Sequence, residues 1–417
     1  MDLAERLRRL GYTPSAGRAP TPRPAFAVPI EDVVRGEWRE TSQGRCFVAR
    51  SAYPLQHRHG GVALGDVFAL RGASLALLGR SPDFAQTDFR RLAFIDTETT
   101  GLAGGTGTYA FLVGVGYCEG DLFRVDQFFM LDHGEEPALL AGLGEALARF
   151  SGLVSFNGKT FDWPLLQTRF AMCRRSVPLT DPLHLDIMFP ARRLWRERLG
   201  SCALSSLEAG VLGVRRAADV PSWLVPSIYF EYVRSRNARP LRQVFAHNEQ
   251  DILSLVALTV TLARHIESPL SEARDPIDLY AVGRAYEAAL AWEDCIVCYE
   301  RALEGRLPAR LRSEALCRLG LAYKRLRQSA NAQQVWLSLI DRHDAATLLP
   351  YVELAKHLEH EARDYAAAIA VVQRALAALD RRPPTPWHAE GAERERRELQ
   401  RRLLRLRRKA ERCGRRA

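Results

Sequence analysis

The sequence predicts an α/β domain, a mixed β-sheet flanked by helices, followed by an all-α domain of helical repeats. Three observations carry this prediction. Residues 92–130 hold three apolar, strand-length runs separated by short turns. Residues 136–266 then alternate helical periodicity with a further short strand. From about residue 275 only helical periodicity remains, and its pattern returns after 37 residues. A chain of 417 residues has room for two or three domains, each with its own core.

Residues 1–45 open with a short amphipathic segment and continue through Pro14, Pro20, Pro22, Pro24 and Pro29, which reads as an arm or linker. Residues 46–90 carry apolar runs at 62–70 and 74–78, which suggest a small β-appendage. The main α/β domain is expected over 91–268. Its strands are placed at 92–95, 111–117 and 122–130, the last two joined by the turn Glu119-Gly120-Asp121. A helix over 136–150 puts Leu139, Leu140, Leu143 and Leu147 on one face, and a strand at 153–156 follows it. Further helices are expected near 163–173, 187–195 and 205–212, with a long one over 241–266.

The helical repeats cover 275–382. Leu279, Val282, Gly283 and Tyr286 share one helix, and Trp292, Cys295, Tyr299 and Ala302 the next. Leu316, Leu319, Gly320 and Tyr323, then Ala332 and Trp336, repeat the set; Leu354, Ala355, Leu358, Tyr365, Ala368, Val372 and Ala375 form a looser third copy without the Gly. Residues 383–417 form a basic, Arg-rich tail. From Asp380 onward there are 14 Lys and Arg against 6 Asp and Glu, so +8 of the total charge of +10 resides there. Such a tail either holds phosphates electrostatically or is a solvated helical end.

Hydrophobic content of 47% and charged content of 26% describe a globular protein, and no apolar run reaches the length of a membrane span. The first residues lack a secretory apolar core, and eight cysteines are scattered without a framework. A cytoplasmic location is therefore expected. Cys295 and Cys298 have CxxC spacing but no second ligand pair, so a structural role inside an amphipathic helix is expected for them.

Three segments carry chemistry. Phe94-Ile95-Asp96-Thr97-Glu98-Thr99-Thr100-Gly101 ends a buried strand with two carboxylates at i, i+2, which point to the same face. Their repulsion suits a divalent cation, though the pair alone fits a solvated strand end equally well. Ser155-Phe156-Asn157-Gly158-Lys159-Thr160-Phe161-Asp162 sets Asp162 between a strand and a helix, where by itself it reads as an N-cap. His247-Asn248-Glu249-Gln250-Asp251 lies on the long helix, with His247 and Asp251 one turn apart on one face. Gly158-Lys159-Thr160 imitates the end of a Walker A loop, but the first Gly it needs is Leu153. Asp186 is expected to cap the helix after it, and His57 and His59 to be ordinary surface groups.

DTETTG, FNGKTFD and HNEQD, in that order, resemble the DEDD superfamily of 3′–5′ exonucleases, and residues 92–262 look closest to its bacterial YprB-like, ribonuclease-H-like members. Gly104 to Thr108, Phe111 to Gly114 and Arg192-Arg193-Leu194-Trp195 are similar to that family too. Residues 275–382 resemble tetratricopeptide (TPR) repeats, although the period is slightly long. One departure stands out. His-type DEDD enzymes usually set their His further from the Asp than the i, i+4 spacing here, and family B proofreading domains carry Tyr instead.

The resemblance implies a ribonuclease-H-like sheet and a site holding two Mg²⁺ or Mn²⁺. Asp96 would bridge both ions, Glu98 and Asp251 would complete one shell, and Asp162 would act partly through water. His247 would serve as base. Thr99, Thr100, Leu102 and Asn157 would border the terminal nucleotide. The expected function is 3′–5′ exonucleolytic hydrolysis of DNA or RNA, with a protein partner on the repeats. A nuclease-like fold that binds nucleic acid without cutting it, or an endonuclease, are the competing readings.

Overall fold

The computed structural model describes residues 27–101, 106–216, 219–341, 347–381 and 389–414. The chain divides into two compact units. The first draws on the residues up to 57, on 89–184 and on 215–255; the second draws on 58–88, on 185–214 and on the chain from 256.

A seven-stranded mixed sheet organises the first unit. Its strands are β1 (Gly36–Thr41), β2 (Gly44–Pro54), β5 (Leu92–Thr99), β6 (Ala110–Glu119), β7 (Leu122–Phe129), β8 (Gly152–Ser155) and β9 (Leu183–Asp186), while β3 (Arg58–His59) and β4 (Val62–Ala63) make a separate two-residue ribbon. The order is β1-β2-β7-β6-β5-β8-β9. Neighbours from β1 to β5 are antiparallel, and β5 and β8 are parallel. Strand β6 is buried on both faces except at its last residue, as expected of a central strand covered on both sides. Helix α2 (Glu136–Leu147) packs its leucines on β1, β2 and β7. The long helix α6 (Leu241–Glu267) crosses β6 at Gly114 and Gly116, where a Cβ would collide with Asn248 and Ile252. Those two glycines let the helix backbone approach the sheet.

The sequence reading of 46–90 as a β-appendage does not hold, nor does that of 1–45 as an arm hold for residues 36–45. Residues 47–54 pair with β7 and residues 36–41 pair in turn with β2, so both strands extend the main sheet, because Phe47, Val48 and Ala49 bury against the core behind α2. The run at 62–70 becomes β4 and a 3₁₀ turn, and the run at 74–78 becomes helix α1 (Gly72–Gly79). His59 is buried rather than on the surface, and β9 and helix α5 (Val225–Ser235) are elements the sequence pattern does not announce.

The second unit is mainly helical. Helix α4 (Met188–Leu199) has Ile187 rather than Asp186 as its N-cap; from one position further back the Asp186 carboxylate accepts a hydrogen bond from the Met188 amide at 3.1 Å and so still serves the first turn. Three antiparallel pairs follow: α7 (Pro276–Ala288) with α8 (Trp292–Glu304), α9 (Ala309–Arg325) with α10 (Ser329–Asp341), and α11 (Leu349–His360) with α12 (Tyr365–Asp380). The recurrent glycine has a steric cause. A Cβ at Gly283 would lie 2.7 Å from the Tyr299 ring, and one at Gly320 would collide with Trp336. Cys295 and Cys298 are buried free thiols pushed up to about 12 by burial, which fits the structural reading. No helix among the described residues is long and apolar enough to cross a membrane.

The basic tail forms helix α13 (Ala389–Gly414), anchored by Leu399 and Leu406 in the helical core. Part of its charge is spent internally. Arg402, Arg405 and Lys409 donate to the fully buried Glu359 carboxylate at 3.0, 2.8 and 2.9 Å. Burial opposes that charge, but hydrogen bonds from Arg405 and Lys409 outweigh it and hold the Glu359 pKa down to about 2. Because the folded value lies below the unfolded one, the contribution is complete above the unfolded carboxylate range and disappears as pH falls toward 2. Glu359→Gln should therefore lower stability by about 1–3 kcal/mol at pH 7. In thermal melts the gap to wild type should close between about pH 4.5 and 2; a gap independent of pH would contradict this.

Candidate active site

Asp96 and Glu98 stand on β5 and point to one side of it, as the strand period requires. Asp162 opens helix α3 (Asp162–Met172). It is not the N-cap, which is Phe161; its carboxylate instead accepts the Thr97 hydroxyl from the neighbouring strand. The turn before it is set by Asn157, which adopts φ +67°, and by Gly158, where a Cβ would run into Ser155 and lie 3.3 Å from the Asp162 carboxylate. Ser155 is in turn bonded to the buried His184 at 2.7 Å, and burial holds that imidazole down to about 4, hence neutral near pH 7.

Helix α6 brings the third segment. His247 and Asp251 share one face, and Glu98, His247 and Asp251 each place a ligand atom within 4.8 Å of the other two. His247 Nε2 lies 3.9 Å from Glu98 and 3.6 Å from Asp251. Its Nδ1 is 2.6 Å from an Asp219 carboxylate oxygen and 3.2 Å from the Arg216 guanidinium, and its Nε2 is 3.4 Å from the Ser222 hydroxyl, so the ring is held in place from both edges. Between His247 and Asp251 on the helix, Asn248 donates to the Asp96 carboxylate at 2.8 Å, and its own carbonyl accepts from Gln127 at 2.9 Å. Glu98, His247 and Asp251 thus form one cluster, with Asp96 tied to the same helix through Asn248 and Asp162 to β5 through Thr97.

The carboxylates feel one another. Burial pushes the Asp96 pKa well up, helped by Asp251 and Asp162 and opposed by the Asn248 hydrogen bond. Burial does the same for Glu98, reinforced by Asp96, Asp251 and Asp162. The groups expected at the substrate are engaged locally. Thr99 donates to the Gly101 carbonyl at 2.9 Å, the Thr100 hydroxyl accepts the Tyr109 amide at 2.9 Å, and Asn157 accepts from Thr160 at 2.8 Å. Leu102, Gly104 and Gly105 lie outside the described residues.

Two site residues escape sequence reasoning. Arg216 donates to Asp251, and to Asp219 at 3.2 Å; Asp219 fixes the imidazole. Both lie on a loop between helices, where no periodicity or motif singles them out. Asn248 is within reach of it: a buried amide one position after His247 on a sheet-facing turn must bond something polar.

A mixed sheet with antiparallel β5–β6–β7, parallel β8 and an acid cluster at β5 is a ribonuclease-H-like, nuclease-type domain. The RNase_H superfamily model matches residues 93–263. The uncharacterized protein YprB of Bacillus subtilis (strain 168) is 31% identical over 338 residues, which cover 79% of this chain and 80% of that protein. The chain belongs to the YprB family of the RNase_H superfamily.

Proposed function

We propose that this chain is a metal-dependent 3′–5′ exonuclease acting on DNA or RNA. Asp96, Glu98, Asp162 and Asp251 would hold two Mg²⁺ or Mn²⁺. The observation that carries this reading is the meeting of carboxylates from three distant segments around one oriented imidazole. The donor set fits the ions, because buried oxygens that raise each other's pKa are neutralised by a hard divalent cation. Such ions, when bound, would polarise the phosphodiester and lower the pKa of the attacking water.

The chain's own residues do the rest. Asn248 and Thr97 aim the carboxylates of Asp96 and Asp162. Asp219 holds the His247 ring so that Nε2 faces the acids and can take a proton from water. Thr99, Thr100, Leu102 and Asn157 would border the terminal nucleotide. The helical repeats from residue 275 would act as a TPR-like surface for a protein partner. Cysteines that all remain free thiols support a cytoplasmic location.

A second reading, binding without cleavage, is favoured by one observation: the Arg216 guanidinium already pairs with Asp251, where it competes with a cation. Oligonucleotides labelled at either end separate the readings once Mn²⁺ is added to the purified protein. Stepwise release from the 3′ end is expected; internal fragments would mean an endonuclease, and no cleavage with any divalent ion would leave the binding reading. His247→Ala should slow single-turnover cleavage about 10²-fold or more while metal affinity, read by calorimetry, stays near wild type. An unaltered rate would remove His247 from the mechanism.

A further inference from the structure

We propose that an arginine-lined cleft in the second unit binds the sugar–phosphate backbone of a nucleic-acid strand, with an adjoining apolar hollow that takes a base. The inference deepens the nuclease reading and rests on nucleic acid being the ligand of this chain. The cleft encloses about 530 Å³ between α4 and α7 and is lined by Arg80, Arg192, Arg193, Arg196 and Arg284, together with Trp292. Ala281, Ala285 and Ala288 also line it.

The charge there is uncompensated. Nearby arginines have found carboxylates: Arg198 pairs with Asp278 at 2.8 Å and Arg318 with Glu287 at 2.9 Å. The two acids on the cleft wall are already spent, Glu197 on Arg310 at 2.5 Å and Glu287 on Arg318 and the Tyr299 hydroxyl. Among the described residues, Arg80, Arg192, Arg193 and Arg196 have no carboxylate at ion-pair distance. Arg192 and Arg196 stand one turn apart on α4, so both face outward in a row. Arg193 is half-buried and donates to the Leu78 carbonyl; burial, together with Arg80, lowers its pKa to about 10. A like-charged, partly desolvated group of this kind is stabilised by a polyanion.

A neighbouring hollow of about 370 Å³ shares Arg80, Arg193, Ala285 and Ala288 with the cleft and is otherwise lined by Ala76, Leu77, Leu78, Leu194 and Ala289. Cations in the wall shared by an arginine-lined cleft and an apolar chamber suit a phosphate joined to a base. An acidic peptide offers carboxylates but no flat apolar group, so it fits the pair of hollows less well.

The test uses the full-length chain in EDTA, which prevents turnover, and a fluorescein-labelled single strand of about 12 nucleotides followed by anisotropy from ~50 to ~200 mM salt. Arg192→Glu with Arg196→Glu should weaken binding at least ~10-fold and reduce the salt slope by about 1.4, at roughly 0.7 per lost phosphate contact. Arg301→Glu with Arg306→Glu, exposed in the same unit, should leave both unchanged. Should the first pair impair folding, Arg192→Gln carries the same test with a slope change of about 0.7.

Equal losses in the two pairs, or none in either, would overturn the proposal. So would a polyglutamate of matched length whose binding, unlike that of the oligonucleotide, depends on Arg192 and Arg196. Turnover of a thymidine monophosphate nitrophenyl ester with Mn²⁺ reports the active site alone. If that ester is inert and the slope still changes, the nuclease reading falls and the cleft stands. If the ester is cleaved and the slope does not change, the cleft assignment falls alone.

Discussion

Asp96→Asn and Asp251→Asn are each expected to leave a folded protein whose release of 3′ nucleotides drops by about 10³-fold or more. On the proposed two-metal reading, losing one of these carboxylates removes several kcal/mol of transition-state stabilisation, and each ~1.4 kcal/mol is a factor of ten. The two variants should differ in stability, and that difference makes the test specific. Asp96 is held against Asp251 and Asp162, whose charges disfavour its own. Removing that charge relieves repulsion, and the amide oxygen that replaces the carboxylate can still accept from Asn248, so the metal-free Asp96→Asn protein should melt at or above wild type. Asp251 is different, because it is the partner of Arg216. Its replacement leaves a half-buried guanidinium short of a counter-charge and should lower the melting temperature. Saturating Mn²⁺ should raise the melting temperature of wild type, by about 2.7 kcal/mol of stability at 100 times Kd, and of neither variant to the same extent. Wild-type cleavage by both variants would show that the acids of β5 and α6 do not form the hydrolytic centre.

Why these residues can be found from the sequence, and others not, follows from how each signal is encoded. Asp96 and Glu98 obey the strand period, and His247 and Asp251 obey the helix period, so two faces are legible before any tertiary contact is known. Asp162 is legible only through its neighbours, since the turn needs Asn157 at positive φ and Gly158 against Ser155. Arg216 and Asp219 sit on a connecting loop, and only folding brings them to His247. Strand β2 escapes the pattern because half of it is exposed: its alternation begins only after the buried run of Cys46 to Ala49. The glycines of β6 carry meaning the strand pattern hides. They mark where α6 lies close enough for Asn248 to reach Asp96.

Arg169→Ala is expected to destabilise the chain by about 3–5 kcal/mol, the largest single effect on folding predicted from the structure. Arg169 and Glu136 are both buried, and the guanidinium meets the carboxylate through two hydrogen bonds of 2.5 Å. Truncation would leave the Glu136 charge stranded. Glu136→Leu with Arg169→Met removes both charges together and should cost far less, which urea unfolding of the single and double variants can measure. The double variant then separates stability from orientation. Arg169 also donates to the Thr106 carbonyl at 2.7 Å and lies 3.9 Å over the Tyr109 ring, and the Tyr109 amide is bonded to Thr100. It therefore ties α3, which begins at Asp162, to the segment that follows Asp96 and Glu98 on β5. Misplacement by about 1 Å in such a site can cost 10²-fold in rate. A stable double variant that cleaves slowly would show that Arg169 positions the two arms of the site; one that cleaves at the wild-type rate would confine it to holding the fold.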